Sequence, residues 1–144
     1  MAEIWPDEGV DIVLEIFPRG GTNLTTTYLA LFTAFTASTV GTAGQTGSAY
    51  TEPNFGSYAR QSITSGEWGS IAAGTGGRKT TAAQKTFPTA TSAASASTNG
   101  FWLTNTTTTS GMKCVFAASF DDTTAVQINT NDVIKVTPSW VYTG

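Results

Sequence analysis

The chain has no histidine and a single cysteine, which removes several common kinds of active site. Without histidine among its 144 residues, the chain lacks the commonest general base and the usual partner of a serine or cysteine nucleophile. The one cysteine, Cys114, cannot form an intrachain disulfide. It lies between Met112 and Phe116 in an apolar pattern, so we interpret it as a small core residue.

Carboxylates are the remaining candidates for catalysis, because glycoside hydrolysis needs only a pair of them. No spacing selects a pair from those beyond the first 15 residues, which are Glu52, Glu67, Asp121, Asp122 and Asp132. The three aspartates stand in stretches typical of turns, and Asp121 and Asp122 do not have the spacing of a calcium-binding loop. We therefore expect no enzyme, no metal and no cofactor.

Charge is also scarce and unevenly placed. Charged residues make up 12% of the chain, about half the usual share, which predicts that partners cover part of its surface. Residues 1–15 carry five acids and no base, whereas the rest of the chain carries +2, since the whole chain carries −3. With no basic stripe and no long apolar run, we expect neither nucleic acid nor membrane as a partner. The acidic residues 1–15 fit either a basic partner surface or a solvated helix face.

What the chain does have is a series of short β patterns separated by turn residues. Strands are predicted at 25–33, 57–64, 82–88, 100–105, 112–120, 125–128 and 133–142, and the strand at 57–64 is expected to continue over 67–73 after a Ser-Gly turn. Loops are predicted at 36–57 and 89–100 and a flexible Gly-rich tip at 73–81. Only residues 6–17 predict a helix, with Pro and acids in the first turn. The fold class is therefore all-β: a single β-sandwich or jelly-roll-like barrel of about seven to eight strands with one short N-terminal helix.

The predicted organisation is one structural domain. Residues 1–24 form an N-terminal helical arm and residues 25–144 the β-sandwich domain. Residues 112, 114, 116, 118 and 120 are predicted to share one face of their strand. Four tryptophans, Trp5, Trp68, Trp102 and Trp140, are a possible sugar-stacking platform, but Trp102 and Trp140 stand inside strong strands and are better read as core or interface residues.

Four stretches carry a resemblance to a known family. They are YLALFT (28–33), GSYARQSIT (56–64), KTFPTAT (85–91) and NTNDVIKVTPSWVY (129–142). The sequence is similar in these stretches to small virion proteins of tailed bacteriophages, which are often labelled tail-fibre proteins and include members that look like capsid decoration or cement proteins. YARQ is the most specific part. The family offers no catalytic residues to transfer.

This resemblance implies a structural virion protein, for which two placements compete. A decoration protein binds the capsid exterior and stabilises the shell, with the major capsid protein and copies of itself, as dimers or trimers, for partners. Long Thr- and Ala-rich loops favour this placement if they become ordered only on a partner. The alternative is a tail-fibre or tail-associated protein, but the chain lacks the repeats usual in fibres. A carbohydrate-binding β-sandwich that contacts host glycans is a second alternative.

Partner or subunit contacts are expected from the acidic N-terminus, the YARQ strand and the Gly-rich tip. The candidate residues are Trp5, Asp7, Glu8, Asp11, Glu15, Tyr58, Arg60, Trp68, Arg78 and Lys79. Within the strand, Arg60 is expected to bind the preceding loop or a neighbouring subunit through its forked donors, with Glu52 or Glu67 as its carboxylate partner.

Overall fold

A computed structural model describes residues 3–4, 24–35, 49–74, 77–108, 112–120 and 124–142, and these residues form an almost entirely β structure. The strands are β1 Glu3–Ile4, β2 Thr26–Phe32, β3 Ala34–Phe35, β4 Tyr50–Thr51, β5 Gln61–Thr64, β6 Ala72–Gly74, β7 Gly77–Thr81, β8 Lys85–Thr86, β9 Gly100–Thr104, β10 Cys114–Ser119, β11 Lys135–Val136 and β12 Ser139–Tyr142. Seven of the twelve have three or more residues, so the all-β sandwich prediction is confirmed in the described part of the chain.

A five-stranded antiparallel sheet forms the centre of the fold, in the order β1-β10-β9-β2-β5. The predicted hairpin of β9 and β10 is present, and β2 pairs with both β9 and β5. Leu29 to Phe32 of β2 have no solvent exposure, as their apolar pattern predicts for a strand buried on both faces.

The central sheet has a separate hydrophobic core on each face because side chains alternate along its strands. One core contains Leu29, Leu31, Phe101 and Leu103 and faces the second layer of the sandwich. The other face carries six buried residues: Ala30, Phe32, Tyr50, Trp102, Cys114 and Ala117. Burial of this second face explains why charged residues are rare in β2, β9 and β10.

The prediction that residues 112, 114, 116, 118 and 120 share one face of their strand is wrong. A register shift between Cys114 and Phe116 interrupts the pairing of β10 with β9. Such a bulge places two residues opposite one and reverses the alternation beyond it. Cys114 therefore packs in the core with Trp102, whereas Phe116 packs in the opposite core. The prediction that Cys114 is a buried core residue is confirmed.

The second layer contains a three-stranded sheet in the order β12-β7-β6 and the short pair β11-β8. It is joined to the central sheet by ring contacts, such as that of Trp140 in β12 with Phe116 in β10, whose centroids are 5.7 Å apart. Phe87 and Val136 add buried apolar surface beside it. The sheets pack face to face, as in a sandwich.

The Thr- and Ala-rich stretch at 89–100 is ordered by contacts within the chain. Ala90 N–H donates to the carbonyl of Asp132 at 2.9 Å, Ala94 N–H to Ile128 at 2.9 Å, and Thr98 exchanges two 2.8 Å backbone hydrogen bonds with Val126. Thr98 is fully buried. This stretch therefore does not need a partner surface in order to adopt its conformation.

Two of the predicted boundaries differ from the structure. The strand predicted to start at residue 57 starts at Gln61, because Ser57 has a φ of 73° and the chain turns there. The Gly-rich tip predicted at 73–81 contains most of the β6–β7 hairpin, in which Ala72 pairs with Lys79 and Ala73 with Arg78. The glycines in this stretch favour turns, and for that reason the sequence predicted a flexible tip.

The predicted helix at 6–17 lies outside the described residues, as does nearly all of the predicted arm at 1–24. No helix in the described ranges has the length and apolar character needed to cross a membrane.

Candidate functional site

Arg60 and Glu52 form a mostly buried ion pair just before β5. The Arg60 Nε atom donates to both Glu52 carboxylate oxygens, at 3.1 and 3.2 Å, and a terminal nitrogen of the same guanidinium also binds Glu52. The side chains are 8% and 23% exposed. Glu52 follows β4, so the pair attaches the loop after β4 to the start of β5. Of the two predicted partners, the structure selects Glu52.

Tyr58 extends this contact to the central sheet. Its hydroxyl donates to Glu52 at 2.6 Å and accepts the backbone N–H of Leu31 in β2 at 3.0 Å. Its ring stacks on Phe87, with centroids 6.0 Å apart, and meets Phe55 edge-on. Burial raises the pKa of Tyr58 well above its ordinary range, and the Glu52 carboxylate raises it further. The hydroxyl therefore stays protonated and keeps donating to Glu52.

The rest of the Arg60 guanidinium contacts β9 and the segment between β9 and β10. One terminal nitrogen donates to the Thr106 carbonyl at 2.8 Å, and the other lies 3.1 Å from the Met112 sulfur. The guanidinium carbon lies 5.2 Å from the ring centroid of fully buried Trp102, within range of a cation–π interaction. We call Glu52, Tyr58, Arg60, Met112 and Trp102 the Arg60 cluster.

The Arg60 cluster joins four parts of the fold, and its charged and polar groups bind one another. Both Glu52 oxygens accept hydrogen bonds, and all three guanidinium nitrogens have partners. Tyr50 stacks on the Trp102 ring at 5.1 Å, and burial beside Cys114 raises its pKa above the ordinary tyrosine range. The arrangement is suited to holding the loop after β4 against the sheet.

A second, more exposed ion pair joins Glu67, in the turn after β5, and Lys85 in β8. Their side chains are 33% and 17% exposed. The Lys85 ammonium, followed by the Thr64 backbone N–H, lowers the pKa of Glu67 to about 2. Trp68, beside Glu67, is half-buried and meets Trp140 edge-on at 6.4 Å. The two rings pack on the core and do not form a flat stacked platform.

The β6–β7 hairpin presents charge and apolar surface together. Arg78 and Lys79 are exposed, and neither belongs to the ion pairs found among the described residues. Ile71, just before β6, is 66% exposed, and Ala72 and Ala73 beside it are exposed as well. β6 is the outer strand of its sheet.

The other predicted residues fall into two groups. Trp5, Asp7, Glu8, Asp11 and Glu15 lie outside the described residues, as do Asp121 and Asp122. Asp132 accepts the backbone N–H of Asn129 at 2.7 Å within a turn, as predicted. No group of three or more potential metal ligands occurs in the ranges that the structure describes.

Sequence reasoning missed the Thr106, Met112 and Trp102 contacts of Arg60. They are 42 or more positions away along the chain, and no local pattern links them to it. The only available signal was the scarcity of charge, which makes any arginine within a β pattern a candidate for an internal pair.

Comparison with protein families gives a match over most of the chain. The family model described as Podophage GP4 fiber I protein gp80 matches residues 15–141, a range that includes every described strand from β2 to β11 and nearly all of β12. A comparison with curated proteins gives no match.

Proposed function

The chain belongs to the podophage GP4 fiber I protein gp80 family, and from this membership we propose that it is a tail-fibre or tail-associated component of the virion. It is a structural virion protein of a bacteriophage, as the resemblance implied. The family description supports the fibre placement, which was the alternative in the sequence analysis, better than capsid decoration.

One argument for the capsid loses part of its premise in the structure. It assumed that the Thr- and Ala-rich loops become ordered only on a shell. Residues 90, 94 and 98 instead hydrogen-bond to residues 126, 128 and 132 of the same chain, and Ala90 and Thr98 are buried. This holds for the loop at 89–100, whereas residues 36–48 of the other loop lie outside the described residues. Low charge remains a sign of a covered surface, and a fibre subunit covers its surface equally well.

The proposed role is non-catalytic. In support of it, the chain has no histidine, and its one cysteine, Cys114, is fully buried in the core with Trp102 and Ala117. The mostly buried charges of Arg60 and Glu52 neutralise each other in an ion pair. Other copies of the chain and neighbouring virion proteins are its proposed partners.

Labelling of intact virions tests the placement. Antibodies against the purified chain, detected by immunogold electron microscopy, are expected on the tail fibres. Gold over the whole head would instead support the capsid-decoration reading and overturn the fibre proposal. Copy number gives an independent measure, because decoration requires hundreds of copies per particle and fibres a few dozen at most. The same antiserum, absorbed beforehand with the purified chain, serves as the control.

A further inference from the structure

The described β-domain has a surplus of positive charge that its own acids do not neutralise. Glu52 binds Arg60, and Glu67 binds Lys85. Asp132 is the only other acid among the described residues from 24 to 142, and it accepts hydrogen bonds from Asn129. Four cations in the same ranges have no ion pair: Arg78, Lys79, Lys113 and Lys135.

Two of these cations stand together on the hairpin. Arg78 and Lys79 are adjacent in β7 and point to opposite faces of the sheet, because side chains alternate along a strand. Each is paired across the sheet with an exposed alanine of β6, Ala73 or Ala72. On the β6 side these small neighbours leave the cations room to contact another chain, whereas on the β12 side Lys79 is paired with Val141 and Arg78 with Tyr142.

The outer strand β6 is short, with three residues, and carries neither charge nor proline. Natural sheets guard an exposed edge with charged residues, proline or a bulge. The sequence Ile71–Ala72–Ala73–Gly74 has no charge and no proline, and Ile71 is 66% exposed. An uncharged apolar edge beside two free cations fits a partner that is acidic and partly apolar.

The chain itself contains a segment with that chemistry. Residues 1–15 carry Glu3, Asp7, Glu8, Asp11 and Glu15 and no base. Among them, Asp7, Asp11 and Glu15 recur every four residues, and Val10, Val13 and Leu14 supply apolar side chains between them. Acidic and apolar groups are thus available in one short stretch.

We propose that the acidic segment, residues 5–15, of one copy binds the β6–β7 hairpin of a neighbouring copy, with its carboxylates on Arg78 and Lys79 and its apolar residues against Ile71. The proposal rests on the proposed fibre role in that a fibre brings several copies together. Its tests use the purified chain, so their failure is distinct from a failure of virion labelling.

Removing the two positive charges of the hairpin tests the proposed contact by its effect on self-association. Arg78→Gln/Lys79→Gln removes two exposed ion pairs, which corresponds to roughly a two- to thirty-fold weaker self-association. Lys113→Gln/Lys135→Gln removes the same charge at other sites and is the matched control. Sedimentation equilibrium of the full chain at low salt compares the two. Equal association constants for the two variants would overturn the proposal.

A cross-link between two differently marked copies decides which chain supplies the segment. One copy carries Lys79→Arg, which keeps the charge but removes the reactive amine. The other keeps Lys79 and carries Asp7→Asn, Glu8→Gln, Asp11→Asn and Glu15→Gln. The two are co-expressed and treated with a zero-length carbodiimide, so a bond between Lys79 and the acidic segment forms only between copies.

Peptide mass spectrometry is expected to find this bond in the co-expressed pair and in the wild-type chain, and in neither variant alone. The bond in the wild-type chain only would mean that each copy binds its own segment, and the proposal would be wrong. Equal yields at Lys79, Lys113 and Lys135 would show unspecific contact and would also overturn it.

Discussion

Replacing Arg60 with methionine tests whether the Arg60 cluster stabilises the fold. The substitution keeps an unbranched apolar stem beside Trp102 but removes the guanidinium that binds Glu52 and the Thr106 carbonyl. Glu52 is then left with the Tyr58 hydroxyl as its only partner of the cluster. The side chain of Glu52 is 23% exposed, so water reaches it in part.

The expected loss of unfolding free energy follows from how deeply the ion pair is buried. Breaking a fully buried ion pair by removing one partner costs about 3–5 kcal/mol, and partial exposure of Glu52 places the expected loss near the lower limit, about 3 kcal/mol. That is a large share of a total stability of roughly 5–15 kcal/mol. The matched control is Lys85→Met, which breaks the more exposed pair with Glu67 and should cost much less, because exposed ion pairs contribute little to stability.

Urea unfolding followed by tryptophan fluorescence measures both variants at one protein concentration, because self-association shifts apparent stability. A third variant, Glu52→Gln, and the double variant complete a thermodynamic cycle. We expect the double variant to be less destabilised than the sum of the single ones by about 1.5–3 kcal/mol, the range for hydrogen bonds to charged groups. Additive effects, or a loss below about 1 kcal/mol for Arg60→Met, would refute the reasoning.

Two further predictions concern packing and pH. A Cβ on Gly100 would lie 2.2 Å from the Ala118 carbonyl oxygen, whereas one on Gly66 meets nothing within 4 Å. We therefore expect Gly100→Ala to lower the free energy of unfolding by about 1–3 kcal/mol and Gly66→Ala to change it almost not at all. Thermal melting compares the two variants, and equal melting temperatures would contradict the geometry. Because burial raises the pKa of Tyr58 and Tyr50 in the fold, the unfolded chain loses these protons first, and stability should be full below pH 10 and fall above it by roughly 1.4 kcal/mol per pH unit for each tyrosine. Urea titrations from pH 8 to 11 should give a shallower fall for Tyr58→Phe, and no fall in the wild-type chain would contradict the assignment.

The sequence predicted the central sheet well because its strands have strong local patterns. The apolar run at Leu29 to Phe32 and the hairpin of β9 and β10 depend on residues close in sequence and were found as expected. The strand β7 was missed, and β6 was predicted only in its first two residues, because the glycines between them are typical of a flexible tip. The bulge in β10 was missed because a single extra residue reverses which face Phe116 occupies and leaves no mark in composition.

The candidate site was predictable only in part for a similar reason. The scarcity of charge identified Arg60, and the chain offered two nearby acids as partners. The choice of Glu52 over Glu67 is made by Tyr58, which binds Glu52 and the backbone of β2 at once, and by Lys85, which neutralises Glu67. Both effects arise from tertiary contacts.

The few charges of this chain serve two separate purposes. Arg60 and Glu52 are largely withdrawn from solvent and hold one chain together, whereas Arg78 and Lys79 are exposed and have no acid paired with them in the described ranges. Salt screens exposed charges strongly and buried pairs much less. Ionic strength should therefore act on the proposed contacts between copies and leave the fold nearly unchanged.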